Sequence, residues 1–378
     1  MTPEIRTALD AAVQPLGDLD LGDRFEPRAA SAIVDAGLHR LCVPIQQGGL
    51  GASMVEAADV LTALGAVDGA TALGFAMQTH VVGGMRESAV FPDRLRERLY
   101  RAIVDDGALL NNAATEEGGG SPARGAIPGT TARQADDGSW RLTGEKTWTT
   151  WLPNLSFAFV TARLVPQEDV EVGTFLVDLS RPGVERRPGF DAMGMRGSAS
   201  GRLALQDVSA ELVQRRRPGD ADPRGPAPGH WFAIVVAAVY LGVGEGARRD
   251  VVRWALDRRP GDGSTAVADI PSVRLRLGRL DAELRAARIV VLGAARRWDE
   301  QCDGSDLPLA KLVASRAAVS ATDEALRIAG GPGFLAGRLE RAFRDARAGL
   351  INPPLEDVAL AGFANDLVER ERPGERPA

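Results

Sequence analysis

The sequence predicts an α+β protein, mainly α, with an N-terminal helical domain, a central antiparallel β domain and a C-terminal helical bundle. Three observations carry that prediction. Helical apolar periodicity runs through residues 2–106, short β-rich runs punctuated by Gly, Pro and Asn fill 108–222, and long helical stretches resume after a Pro/Gly/Asp-rich segment at 218–229. Strands gathered in one block, instead of alternating with helices, exclude a doubly wound nucleotide-binding sheet. The boundaries follow as 1–107, 108–222 and 223–378.

In the first segment, Glu56-Ala57-Ala58-Asp59-Val60-Leu61-Thr62-Ala63-Leu64 and residues 72–85 carry the helical pattern. The glycines and proline of Val43-Pro44-Ile45-Gln46-Gln47-Gly48-Gly49-Leu50-Gly51 interrupt it with a loop. In the second, Asp136-Asp137-Gly138 is a hairpin turn leading into Ser139-Trp140-Arg141-Leu142. Phe157-Ala158-Phe159-Val160 and Phe175-Leu176-Val177 are further strands. In the third, helices are expected over 230–258, 271–299, 307–329 and 357–371.

At 378 residues and 44% hydrophobic, the chain has material for two or three buried cores. A net charge of −6 with both signs dispersed, and no basic stripe interleaved with aromatics, argues against nucleic-acid binding. Cys42 and Cys302 are too few for a disulfide framework, which fits a reducing cytosol, and the three histidines are isolated, so no metal cluster is suggested. No run approaches the ~20 apolar residues of a membrane span, and no signal-peptide pattern opens the chain. A cytoplasmic protein that does not meet a membrane is the expectation.

Three spaced signatures carry the chemistry: Thr115-Glu116-Glu117-Gly118-Gly119-Gly120-Ser121, Lys146-Thr147-Trp148-Thr149-Thr150 and Gly194-Met195-Arg196-Gly197-Ser198. Glycines let backbone N–H groups approach a phosphate, and Ser121 adds a hydroxyl donor; a plain surface turn is the alternative. Trp148 offers an indole face for stacking, flanked by threonines that can hydrogen-bond a ring edge; a core Trp of a β domain is the alternative.

In order and spacing, these signatures resemble the middle domain of the acyl-CoA dehydrogenase family, with its T-E-P-x-x-G-S-D, K-x-W-I-T and G-x-R-x-S-x-T segments. The resemblance extends over most of the chain. Gly242-Val243-Gly244-Glu245-Gly246-Ala247 through Trp254-Ala255-Leu256-Asp257-Arg258 is similar to a C-terminal family helix. Arg327-Ile328-Ala329-Gly330-Gly331-Pro332-Gly333-Phe334 is similar to Q-x-x-G-G-x-G-Y, and residues 341–347 to R-x-x-R-D-A-R. It implies FAD as cofactor, lined by Ala113, Ala114 and Thr115, with Ser121 on the pyrophosphate, Trp148 packed on the ring and Thr150 at its reactive nitrogen. Arg258 would reach the FAD phosphates of a neighbouring subunit, with Arg327, Gly330 and Gly331 also at the cofactor. A homodimer or homotetramer built through the C-terminal helices is expected accordingly.

The resemblance breaks at the base. Desaturating a thioester takes a base for the α-proton while the β-hydrogen leaves as hydride to the flavin. The usual Glu position falls on Pro353, followed by Pro354 and Leu355. The alternative position, ten residues before Gly242, falls on Phe232, and a substrate-positioning arginine falls on Ala233. Glu356, within a turn of Pro353, is the candidate base, with a solvated acid at a helix start as its alternative. His230, Phe232 and Pro353 are the candidate substrate contacts, His230 having a structural or capping role as its alternative. The leading expectation is FAD-dependent α,β-dehydrogenation of an acyl thioester, on CoA or a carrier protein, with an electron-transfer partner or oxygen as acceptor. The second is a reduced-flavin-dependent monooxygenase or oxidase on the same scaffold. A non-catalytic helical interaction protein would explain the helices but not the β-domain signatures.

Overall fold

The computed structural model describes residues 1–372 except 20, 89, 119–125, 167–169, 218, 219, 221–226 and 262. Among the described residues five α-helices come first: α1 (Pro3–Asp18), α2 (Pro27–Asp35), α3 (Met54–Val67), α4 (Gly69–Glu87) and α5 (Asp93–Asp106). Their starts are chemically marked. Thr2 accepts from the Ile5 N–H, Ser53 and Glu56 form a reciprocal capping box, and Asp68 accepts from Thr71 N while dividing α3 from α4.

Seven strands follow among the described residues: β1 (Leu110–Ala113), β2 (Thr131–Gln134), β3 (Trp140–Thr149), β4 (Phe157–Val165), β5 (Val172–Asp178), β6 (Val184–Arg187) and β7 (Gly201–Arg216). Pairing runs in a closed circuit through β4, β2, β3, β7, β5 and back to β4, with β1 added to β4 and β6 to β7. The expected hairpin joins β2 to β3, with Gly138 at φ 82° and Asp137 accepting from Ser139 N. The sheet departs from the antiparallel expectation at β1–β4 and β2–β4, which pair in parallel. Period-two alternation records which face a residue takes, not the direction from which the chain returns.

The C-terminal bundle consists of α6 (Ala227–Asp257), α7 (Pro271–Gln301), α8 (Leu307–Ala329), α9 (Arg338–Ile351) and α10 (Glu356–Glu371). From Trp231 to Leu241 every residue of α6 except Phe232 is buried, so the helix is enclosed on all sides. Residues Pro228–Asp257 are long and apolar enough to cross a membrane, but 83% of that apolar window is buried inside the fold. The glycines around 242 have a packing reason. A Cβ on Gly242 would lie 2.3 Å from Thr62 O, one on Gly246 2.7 Å from Ala66 O, and one on Gly65 2.6 Å from Val239 O. Helices α3 and α6 therefore cross with their backbones in contact, and the two helical domains share one core across that crossing.

Candidate functional site

The site begins where α4 meets β1. Gln78 of α4 accepts from Leu110 N at 2.7 Å and donates to His39 O at 3.2 Å, joining the first strand to the helical domain. β1 ends at buried Ala113; Ala114 is half-buried and Thr115 exposed. Thr115 O accepts from Thr147 N at 2.8 Å, which lays the segment after β1 along β3. Glu116 fixes it there by accepting from Gly129 N (2.6 Å), Thr130 N (3.0 Å), Thr130 Oγ1 (2.6 Å) and the ammonium of Lys146. The Lys146 side chain is wholly buried and that of Glu116 is 15% exposed. Burial opposes the charge on Glu116, yet hydrogen bonds from Lys146 and Thr130 outweigh it and hold the carboxyl below its usual range. Burial likewise pulls the Lys146 ammonium down, with Glu116 working against it.

Trp148 stands apart from its neighbours. Lys146, Thr147, Thr149 and Thr150 are buried, whereas Trp148 is 50% exposed. Its φ of 55° is left-handed, a conformation bulky side chains avoid, and the β3–β7 register breaks between Lys146 and Thr149. An outlier of this kind marks a site held in place by its surroundings. The indole stacks on Phe190 at 4.1 Å, and the Arg202 guanidinium, paired with Glu117 at 3.0 Å, lies 5.1 Å from the Phe190 ring.

Beside it runs a chain of hydroxyls. Thr150 Oγ1 and Ser200 Oγ are 2.9 Å apart, as are Ser200 Oγ and Ser198 Oγ. Asn111 Nδ2 holds the Thr150 carbonyl at 3.0 Å. Two mutual hydrogen bonds consume two of three hydroxyl hydrogens and leave one for an acceptor that the described residues do not supply. Thr147 Oγ1 and Thr149 Oγ1 are also buried without a partner. An exposed flat apolar ring next to a spare donor fits a flavin: Trp148 would pack on the ring system, and Thr150 would donate to its edge.

The remaining expected cofactor residues divide. Ser121 lies outside the described residues. Arg258 is exposed at the end of α6, and Arg327, at the end of α8, is ion-paired with Asp323 at 2.8 Å. Gly330 (φ 62°) and Gly331 open an exposed turn that carries Phe334 at 85% exposure. These four are exposed on the bundle, and for Arg258 the resemblance calls for a neighbouring subunit.

Phe232 meets a partner that sequence reasoning missed. Its ring lies edge-on to His80 of α4, with centroids 5.1 Å apart. His80 Nε2 is 3.0 Å from Asn112 Nδ2 on β1, with the amide donating to the imidazole. A solitary His in an apolar helix gives no sequence signal; the cluster exists only because α4, β1 and α6 converge.

Two further expected residues lie in other surroundings. His230, two positions before Phe232, projects from the opposite side of α6. It packs edge-on against Trp298 at 4.6 Å, in space left by Gly304, where a Cβ would lie 2.3 Å from the imidazole. Burial pushes its pKa down against the pull of Asp303 and Glu87. This packing is what the structural alternative for His230 calls for. Glu356 opens α10 and is paired with Arg316 of α8, which holds its carboxyl below the usual range. A base held low by an ion pair is poorly matched to taking an α-proton. Pro353 is exposed in the α9–α10 turn, joined to Pro354 by a cis bond. That turn is anchored by Asn352 Nδ2 donating to Tyr240 OH at 2.6 Å and Lys311 Nζ donating to Gly349 O at 2.8 Å.

Three family models match in succession: acyl-CoA dehydrogenase N-terminal domain over residues 2–89, middle domain over 111–208 and C-terminal domain over 230–352. The protein named "Putative acyl-CoA dehydrogenase YdbM", from Bacillus subtilis (strain 168), is 32% identical over 371 residues, covering 95% of this chain and 94% of its own. Amino sugar nitrososynthase DnmZ of Streptomyces peucetius is 28% identical over 374 residues, covering 92% and 89%. The structure of butyryl-CoA dehydrogenase from Megasphaera elsdenii superposes with a TM-score of 0.85 at 22% identity, over 97% of this chain and 99% of that one, a likeness of fold. The chain belongs to the acyl-CoA dehydrogenase family, and is a flavin-dependent oxidoreductase of it with FAD as its cofactor.

Proposed function

We propose that this chain catalyses an oxygen-dependent oxidation, a monooxygenase reaction, in preference to α,β-dehydrogenation of an acyl thioester. One observation carries the reading: the two positions where the family places its carboxylate base hold Phe232 and Pro353, and the acid nearest in sequence, Glu356, is committed to Arg316. Neither family position can receive an α-proton, and the carboxyl of Glu356 is held too low to serve in their place. Reduced flavin, held by Trp148 and Thr150, would supply two electrons and two protons for dioxygen, one oxygen atom entering the substrate and the other leaving as water. That balance involves no thioester α-proton.

The residues fit such a task. Trp148 holds the ring system, and the Thr150, Ser200 and Ser198 hydroxyls provide a donor at its edge. The His80–Asn112 pair beside Phe232 offers one polar contact next to an aromatic ring, suited to a small or aromatic substrate. The nitrososynthase relative, at 28% identity, supports oxygen chemistry on this scaffold. The 32% identity to YdbM favours the second reading, thioester oxidation on CoA or a carrier protein. Exposed Arg258, Arg327, Gly330, Gly331 and Phe334 suit contact with a second copy of the chain, in a homodimer or homotetramer.

The purified holoprotein distinguishes these readings. Anaerobic addition of a panel of acyl thioesters is expected to leave the flavin absorbance unchanged, whereas externally reduced protein should consume oxygen and reoxidise. Bleaching by a thioester would establish dehydrogenation and sink the proposal.

A further inference from the structure

Asp345, in the Arg344-Asp345-Ala346-Arg347 run of α9, takes no part in the chemistry above, yet from another domain it holds the turn that carries two hydroxyls of the flavin site. Its side chain is buried and accepts the N–H of Met195, the residue that opens the turn at 195–200. That turn is held in an unfavourable shape: Met195 has φ 55° and Ala199 φ 45°, both left-handed without being glycine. Gly194 permits the approach, since a Cβ there would lie 2.4 Å from Arg344 O. The turn delivers Ser198 and Ser200, whose hydroxyls run on to Thr150.

The surroundings of Asp345 are polar but unevenly paired. Asp68, at the start of α4, is 3.7 Å from Arg341 of α9, while Arg344 is turned away to Glu340 and Asp23. Tyr240 of α6 is buried and un-ionised, its pKa raised by burial and by Asp345. A cavity of about 30 Å³ is lined by Asp68, Asp345, Arg341, Asp250 and Arg338, the last two paired with each other at 2.8 Å. Burial, with Asp68 adding to it, pushes the Asp345 carboxyl up to about 7 against the Met195 N–H and the two arginines Arg341 and Arg344.

We propose that Asp345 is a positioning residue for the flavin site: it holds the Met195–Ser200 turn, and through it the Thr150–Ser200–Ser198 hydroxyls, with a grip set by its own charge. A carboxylate accepts an N–H more strongly than the protonated acid does. The turn is therefore held tighter above neutral pH than below it. This inference rests on the flavin site and is independent of whether the reaction is oxygenation or desaturation.

The test is FAD affinity, read by flavin fluorescence between pH 5.5 and 8.5 for wild type, Asp345→Asn and Asp345→Ala. Wild type is expected to bind FAD about fivefold tighter at pH 8 than at pH 6. Asp345→Asn keeps an acceptor without a titrating proton, so its affinity should be flat and near the wild-type value at low pH. Asp345→Ala should bind more weakly throughout; should it fail to fold, the Asn variant alone decides. The Asn variant retaining the wild-type pH transition, or matching wild-type affinity at pH 8, would overturn the proposal. So would a change confined to the unfolding midpoint of the flavin-free protein.

Discussion

Replacing Lys146 with Met removes the ammonium from the most buried ion pair of the site while keeping most of its volume. Two terms compete in the wild type: the cost of dehydrating both charges and the gain from pairing them. The lysine side chain is wholly buried and its other contact is Thr161 Oγ1 at 3.4 Å, so its charge depends on Glu116. Removing one partner of such a pair typically costs about 3–5 kcal/mol, because the other charge is left uncompensated. Glu116 is 15% exposed and keeps three donors, from Gly129 N, Thr130 N and Thr130 Oγ1, which places the expected loss at the lower end, about 3 kcal/mol. Adding Glu116→Gln removes the stranded charge and should restore roughly 2 kcal/mol of it. Denaturant unfolding of wild type, both single variants and the double variant measures the coupling. A loss under about 1 kcal/mol for Lys146→Met, the level of an exposed pair, or strict additivity in the double variant, would refute this account. Because Glu116 ties the segment after β1 to β3, FAD retention should fall in step.

Trp148→Ala removes a half-exposed side chain whose described ring contact is Phe190, so the protein should stay folded and lose flavin; undiminished flavin after purification would take Trp148 out of the site. Glu356→Gln breaks the pair with Arg316 and should leave flavin reduction and reoxidation rates within about twofold of wild type; a loss of turnover with ligand binding intact would restore Glu356 as the base. Lys311 is lowered to about 8 by burial, with Glu356 opposing. The unfolded chain holds that proton up to about 10.4, so stability should rise with pH between the two values. Unfolding midpoints at pH 7.5 and 9.5 should show this rise in wild type and not in Lys311→Met; equal behaviour would disprove it.

Local chemistry made much of this molecule legible in its sequence. The Asp136-Asp137-Gly138 turn, the strand containing Trp148 and the long helices of the bundle are each set by residues within a few positions of one another. What escaped depends on residues distant in the chain. The parallel pairing of β4 with β1 and β2 follows from the route taken between strands, which alternation does not encode. His80 gains meaning only beside Asn112 and Phe232, 32 and 152 positions away. Glu356 carries no mark of Arg316, forty residues earlier, and the helical position of His230 says nothing of Trp298 on α7. Asp345 stood in a motif whose order was visible and whose contact with Met195 was not.

The glycine crossing of α3 and α6 has a consequence for selectivity. Backbones touching at Gly65, Gly242 and Gly246 leave no side-chain layer to shear, so the two helices behave as one girder. Helix α4 hangs from α3 through the single residue Asp68, and α6 carries Phe232, so the edge-on contact of His80 with Phe232 is held by a nearly rigid frame. Room for a ligand at that contact cannot be made by parting the helices. It is set by the side chains at these two positions, which makes the contact a fixed gauge that point substitutions reset in steps of one side chain.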